Sequence, residues 1–143
     1  MGIKQISVFL ENTRGRLAEV THILAERKIN IRALSLADTK DFGVLRLIVD
    51  RPAECARALR DKGFVVKETD VIAVEVDDAP GGLDRLLQSF GKAGLNVEYM
   101  YATVERTAKT AVVIFKVDEH ARAVDALREQ GVEVLPENLL KNI

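Results

Sequence analysis

The sequence predicts an α+β fold in which one small sandwich, ordered strand–helix–strand–strand–helix–strand, is built twice in tandem. Three observations carry that expectation. First, "NTRGRLAEVTHILAERKINI" from Asn12 lies against "DAPGGLDRLLQSFGKAGLNV" from Asp78 at a constant offset of 66, without a gap. Gly15 then meets Gly81, Leu17 meets Leu83, Leu24 meets Phe90 and Asn30 meets Asn96. Past a hairpin two residues longer in the second copy the offset is 68, so Asp50 meets Asp118 and Gly63 meets Gly131. Second, the apolar period switches between two and about 3.6 in the same order in both copies. Third, glycine, proline and aspartate stand at the junctions where the period changes.

Each element follows from local pattern. "IKQISVFLE" alternates, with Ile6, Val8 and Leu10 on one face, as a half-buried strand does. Leu17, Val20, Ile23 and Leu24 fall at helical spacing, and Leu83, Leu86, Leu87 and Phe90 echo them. "INIRALSLAD" and "FGVLRLIVD" read as a hairpin around "TKD", with Gly43 just past the turn. Pro52 suits the first turn of a second helix, which Gly63 ends. In the second copy Asp118 is expected as the N-cap of the last helix and Gly131 as its stop. "FVVKE" and "VEVLP" are expected to close the copies as strands.

That order describes two tandem ferredoxin-like βαββαβ domains, antiparallel sheets with helices on one face, expected at residues 1–70 and 71–143. A unit of ~65 residues buries little apolar surface by itself. Both second strands, "INIRALSLAD" and "LNVEYMYATVE", are apolar on both faces and lie at a sheet edge, which demands a partner or a cover. The copies, or two chains, are therefore expected to join into a wider sheet. The tail "PENLLKNI" is expected either to pack as a short helix or to stay disordered.

Composition narrows the function. No apolar run approaches the ~18 residues of a membrane span, and "MGIKQISVFLEN" has no leader pattern, so a cytoplasmic protein without membrane contact is expected. The single cysteine, Cys55, excludes an internal disulfide and suits a reducing compartment. A formal net charge of −1 argues against a general nucleic-acid binder. The halves differ: residues 1–70 hold 13 Lys/Arg and 10 Asp/Glu, leaving 8 and 12 for residues 71–143 out of totals of 21 and 22.

Three chemistries are open to such a fold. "KDFGVLRL" resembles the third strand of an RNA-recognition motif, but Val44 stands where the second stacking aromatic belongs and the second copy offers "TAKTAVVI". Catalysis finds no support: His22 and His120 face Gln88 and Pro52 at their equivalent positions, and Cys55 faces Ala123. No metal-ligand, nucleophile or phosphate-loop motif occurs, so neither a cofactor nor a metal is expected. The Asp77–Asp78 pair reads more readily as a helix cap than as an acid–base couple.

The junction between the first strand and first helix says more. A helix N-terminus offers N–H groups without intrahelical partners and a positive dipole end, and so accepts a carboxylate. Gly15 and Gly81 remove the Cβ that would hold a ligand away. Asn12 supplies donor and acceptor, Arg14 and Arg16 favour anions, and Asp77 and Asp78 favour an ammonium. An α-amino acid carries both groups. The bland alternative is that Asn12 and Asp78 merely cap their helices. Two equivalent loops, each followed 18 residues later by Asn30 or Asn96, favour the ligand.

At these residues the chain resembles a tandem pair of ACT domains, the βαββαβ amino-acid sensors of biosynthetic enzymes. "ENTRGRLAEVTHILAERKINI" is similar to the regulatory end of serine-inhibited phosphoglycerate dehydrogenase, and "DDAPGGLDRLLQSFGKAGLNV" fits the family's Pro-Gly turn still better. The resemblance implies one site from Asn12, Thr13, Arg14, Gly15, Arg16 and Leu17 facing Asn96 and Val97. It implies another from Asp78, Ala79, Pro80, Gly81, Gly82 and Leu83 facing Asn30 and Ile31. Arg14 departs from the usual proline and Asp78 from the usual asparagine, so one site is open to being degenerate. The implied function is a non-catalytic, stand-alone regulator. It would bind a free amino acid at domain interfaces, as a homodimer or higher homo-oligomer, and signal to an enzyme of amino-acid metabolism. The alternatives are a regulatory subunit like the small subunit of acetolactate synthase, a domain pair controlling aromatic amino-acid metabolism, and a structural adaptor that binds no ligand.

Overall fold

In the computed structural model, which describes residues 2–38, 41–103 and 110–136, each copy of the repeat forms its own sheet-and-helix sandwich. One unit holds Lys4–Thr69; the other holds Asp70–Ile143 together with Met1–Ile3. The expected tail falls almost wholly outside the described residues, and so do parts of both hairpin turns.

In the first unit, β1 (Ile3–Glu11), α1 (Arg16–Glu26), β2 (Ile31–Asp38), β3 (Phe42–Val49) and α2 (Pro52–Asp61) follow in order. β3 pairs antiparallel with β1 on one side, Val8 opposite Leu45, and with β2 on the other, Leu36 opposite Leu45. The apolar face read from "IKQISVFLE" is as expected, since Ile6, Val8 and Leu10 enter the core with Leu45, Leu47 and Val49, but the strand is not half-buried: Gln5 and Ser7 on its other face are buried too. Val20 and Leu24 of α1 and Cys55, Ala56 and Leu59 of α2 close it from above. Each buried valine, leucine or isoleucine among them contributes ~1.5–3 kcal/mol. Leu17, expected on the same face, stays 40% exposed.

β4 (Val65–Asp77) is one continuous strand. "FVVKE" is expected to end before a new strand begins, but no glycine or proline breaks Val65 to Asp77 and the extended backbone runs through Asp70. The second unit continues with α3 (Gly82–Lys92), β5 (Val97–Thr103), β6 (Thr110–Val117) and α4 (His120–Glu129). β6 pairs antiparallel with β4, Val74 opposite Val113, and with β5, Ala102 opposite Val113. Phe90 of α3 meets Phe115 of β6 with ring centroids 4.6 Å apart at 56°, a tilted pair worth ~0.5–1.5 kcal/mol beyond its burial. "VEVLP" does not become a full strand: only Val134 bridges to Val74, beside a bond from Leu135 N–H to the Ala73 carbonyl.

The helix ends show the repeat at its most exact and its least literal. Arg51 donates from Nη2 to the carbonyls of Arg27 and Lys28, at 2.7 and 2.6 Å, and from Nη1 to Glu54 at 2.6 Å. Arg122 donates to the equivalent carbonyls of Ala93 and Gly94, at 2.7 and 3.2 Å, and pairs with Glu119 at 2.6 Å. Yet Arg51 aligns with Glu119, and Glu54 with Arg122. The charges have exchanged places one helical turn apart, and a guanidinium still satisfies the last carbonyls of the preceding helix. Those ends also share a left-handed residue: Gly94 at φ 69°, and Lys28 at φ 56°, where a side chain is strained.

Candidate functional site

Both β-to-α junctions adopt the same turn. Arg16 N–H bonds to the Thr13 carbonyl at 3.4 Å and Gly82 N–H to the Ala79 carbonyl at 3.0 Å, closing four-residue turns. The third residue of each is left-handed: Gly15 at φ 88°, ψ −11° and Gly81 at φ 86°, ψ −5°. These are type II values, which require glycine there and favour proline just before it. Pro80 supplies the second loop with that preset backbone; Arg14 does not, and the first turn closes more loosely. Gly15 and Gly81 are thus demanded by the turn itself. Around Gly15 a Cβ would meet nothing within 4 Å, so the loop is also open. Gly82 has a further reason to lack a side chain: it is buried, and a Cβ there would run into the Asp77 carbonyl oxygen.

The structure removes the capping explanation. Neither α1 nor α3 has a side-chain cap; their N-caps are Gly15 and Gly81. Asn12 uses its backbone N–H, bonded to the Asp41 carbonyl at 3.0 Å, and its exposed carboxamide has no partner among the described residues. Asp78 is exposed and likewise makes no hydrogen bond or ion pair among them. Asp77 does not cap either: its carboxylate lies 3.7 Å from Arg85 Nη2. Arg16, expected to draw anions to the first loop, is spent locally. Its Nη1 sits 2.6 Å from Glu19, and its guanidinium carbon lies 4.4 Å from the Phe64 ring centroid, a cation–π contact. Arg14 remains as the exposed cation of that loop.

Asn30 and Asn96 are held by a device assigned otherwise from sequence. Asp118 is not an N-cap; Glu119 occupies that position. Instead the Asp118 carboxylate accepts from Asn96 N–H at 3.1 Å, and Asp118 N–H returns a bond to the Asn96 carbonyl at 3.2 Å. Asp50 clamps Asn30 in the same way, at 3.0 and 3.2 Å. The signal was in the repeat, since Asp50 and Asp118 align. With their backbones fixed, both asparagines carry their side chains exposed at the start of β2 and β5. Within a unit, however, α1 separates Asn12–Leu17 from Asn30 and Ile31. Its 11 residues span roughly 16 Å. The same holds for Asp78–Leu83 and Asn96–Val97 about α3. Each unit brings together one loop, or one strand start, but not both halves of a site.

A groove of about 380 Å³ lies under the second loop. Met100 and Ala102 of β5 with Ala111 and Val113 of β6 form its floor, and the chain from Asp77 to Pro80 overhangs it. The volume is in the range of small-molecule sites. These floor residues are a part of the site that the loop motifs do not reveal. The size differences between the copies at Ala102 and Ala111 were the available signal. Among the described residues no group of three His, Cys, Asp or Glu is placed to hold a metal ion. No helix among them is long and apolar enough to cross a membrane.

The chain is thus a tandem pair of βαββαβ modules with matching open junctions. A family profile describing an ACT domain pair matches residues 1–143, and the chain belongs to that family. Among solved structures, protein BT0572 from Bacteroides thetaiotaomicron is 37% identical, with a TM-score of 0.93 over 100% of this chain and 98% of that one. The regulatory subunit of aspartate kinase from Thermus thermophilus, in its ligand-free form, shares the fold at a TM-score of 0.65 and 18% identity, covering 90% of this chain and 93% of that one. Its counterpart from Thermus flavus does so at 0.62 and 19%, covering 90% of each. No curated protein matches the chain at a significant level. ACT domains are regulatory, non-catalytic domains that bind small amino acids.

Proposed function

We propose that this protein is a non-catalytic regulator that binds a free amino acid where its ACT domains meet a facing ACT domain, and signals occupancy to a partner enzyme. The observation that carries the reading is the pair of helix N-termini left without side-chain caps, each beside a polar side chain with no partner among the described residues, Asn12 in one and Asp78 in the other. Free N–H groups suit the carboxylate, and Asn or Asp suits the ammonium. Because loop and strand start lie at opposite ends of a helix, a complete site needs a second module, from the same chain or another copy. The proposed sites are Asn12–Leu17 with Asn96 and Val97, and Asp78–Leu83 with Asn30 and Ile31, on domains at residues 1–70 and 71–143. A ligand bridging modules selects one orientation by its differential affinity for the two, which is the signal a partner reads. We place the protein in the cytoplasm, as a homodimer or larger.

Calorimetry and thermal-shift measurements with the twenty amino acids test this. A stabilising ligand whose effect is lost in Asn12→Ala/Asn96→Ala or in Asp78→Ala/Asn30→Ala supports the sensor. No binding across the panel, with oligomerisation intact by light scattering, supports the structural adaptor instead. The adaptor reading has one observation of its own: Leu34 and Leu36 of the edge strand β2 are 55% and 50% exposed.

A further inference from the structure

The two loops share a backbone but not the space beneath them. In the first copy Leu36 stands where the second has Ala102, and Gly43 where it has Ala111. The strand pairing confirms the equivalence, Leu36 opposite Leu45 and Ala102 opposite Val113. Leu36 leans across onto Gly43: a Cβ on that glycine would lie 3.4 Å from Leu36 Cδ1. The first copy therefore carries a leucine side chain of its own over the strip that lies open as the groove under the second loop. The repeat displays, within the protein, the kind of group that strip accommodates.

We propose that the second loop, rather than the first, is the working ligand site, and that it takes a free amino acid with an aliphatic side chain. The inference rests on the sensor reading above. The floor of Met100, Ala102, Ala111 and Val113 offers a ligand's side chain no hydrogen-bonding side-chain group, and a polar or charged group set there would lose water without replacement. Asp78 at the rim supplies an anion to the ammonium, where Asn12 in the first copy supplies none. At the start of α3 the Gly82 N–H is taken by the turn, which leaves those of Leu83 and Asp84, with no backbone acceptor among the described residues, for the carboxylate; the tight Pro80–Gly81 turn keeps that helix end in place. A zwitterion held at the rim with its alkyl group on the floor satisfies all three parts at once. Discrimination among alkyl groups in such a pocket runs at about 10-fold or more per methylene.

Calorimetry on the full chain, with each of the twenty amino acids as titrant, decides the matter. Leucine, isoleucine, valine or methionine is expected to bind, while aspartate, glutamate, lysine and arginine do not. Ala102→Leu, which installs the first copy's residue, is expected to weaken that binding by at least 10-fold. Asp78→Asn, which keeps the shape and removes the charge, gives an independent arm should the fuller side chain disturb folding, with a loss of similar size. Binding of an aliphatic amino acid that survives both substitutions, or a preference for charged amino acids, overturns this inference and leaves the sensor reading standing. Silence from all twenty overturns both.

Discussion

Exchanging Arg51 and Glu54 in the first copy should leave stability nearly intact, although either change alone does damage. In the native arrangement the Arg51 guanidinium gives two bonds to the carbonyls that end α1 and one to Glu54. Hydrogen bonds from charged groups contribute ~1.5–3 kcal/mol when well sheltered. Arg51 and Glu54 have side chains 43% and 37% exposed, so the lower end applies and the ion pair itself adds at most ~1 kcal/mol. Arg51→Glu removes the donor and points a carboxylate at the Arg27 and Lys28 carbonyls. A loss of about 2 kcal/mol is expected, or roughly 4–8 °C in Tm for a chain of this length. Adding Glu54→Arg recreates what Glu119 and Arg122 do in the second copy, and should restore stability to within ~0.5 kcal/mol of the native chain. Urea unfolding followed by far-ultraviolet circular dichroism, run as a double-mutant cycle, measures the coupling. A double variant as unstable as Arg51→Glu alone would show that the carbonyl-capping role does not transfer between the two positions, and the reasoning fails.

Other outcomes follow from single positions. Lys28→Gly should raise stability by ~0.5–1 kcal/mol, because Lys28 holds φ 56° where the second copy has Gly94; an unchanged unfolding midpoint would contradict this. Gly82→Ala should cost ~1–3 kcal/mol through collision with the Asp77 carbonyl, whereas Gly15→Ala, in open space, should cost only its left-handed backbone, ~1–2 kcal/mol; both are read from denaturation curves. Cys55 should resist thiol reagents in the native chain at pH 8 and react fully in urea. Burial, then the charges of Asp50 and Glu68, push its thiol up to about 12. Since the folded thiol holds its proton above the pH at which the unfolded one releases it, this group's stabilisation is complete below about pH 9 and declines from there toward pH 12. The decline is at most ~1.4 kcal/mol per pH unit and is absent in Cys55→Ala.

Most of the architecture was legible because it was written twice. A period of two in "IKQISVFLE" and helical spacing at Val20 and Leu24 are strong local signals, and recurrence at Leu86 and Phe90 made them stronger. Gly63 and Gly131, the expected stops, do take left-handed backbone after their helices. What eluded the sequence was the division of labour among polar side chains. Asp118 looks like a cap from its position alone; only the fold reveals that the start of β5 passes within reach of its carboxylate. Arg16 looks like an anion trap until Glu19 and Phe64 are seen to claim it. The continuity of β4 is not legible in Val65 to Asp77, because nothing in an extended stretch marks where one pairing partner gives way to another. For the site itself, the loops were found from glycine and asparagine spacing. The groove depends on Ala102 and Ala111, small residues whose meaning comes from what is missing beside them.

The membership of the two units has a practical side. Ile3 is 3% exposed, and Gly2 packs so closely on the His120 ring that a Cβ would come within 2.5 Å of its Nε2. Both residues belong with the stretch that begins at Asp70. Trimming a few residues from the amino end would thus be felt at the helix that starts 120 positions along the chain. A fragment cut cleanly at the boundary of the repeat would inherit a bare patch beside His120, so duplication here has left two halves that no longer separate along the seam that made them.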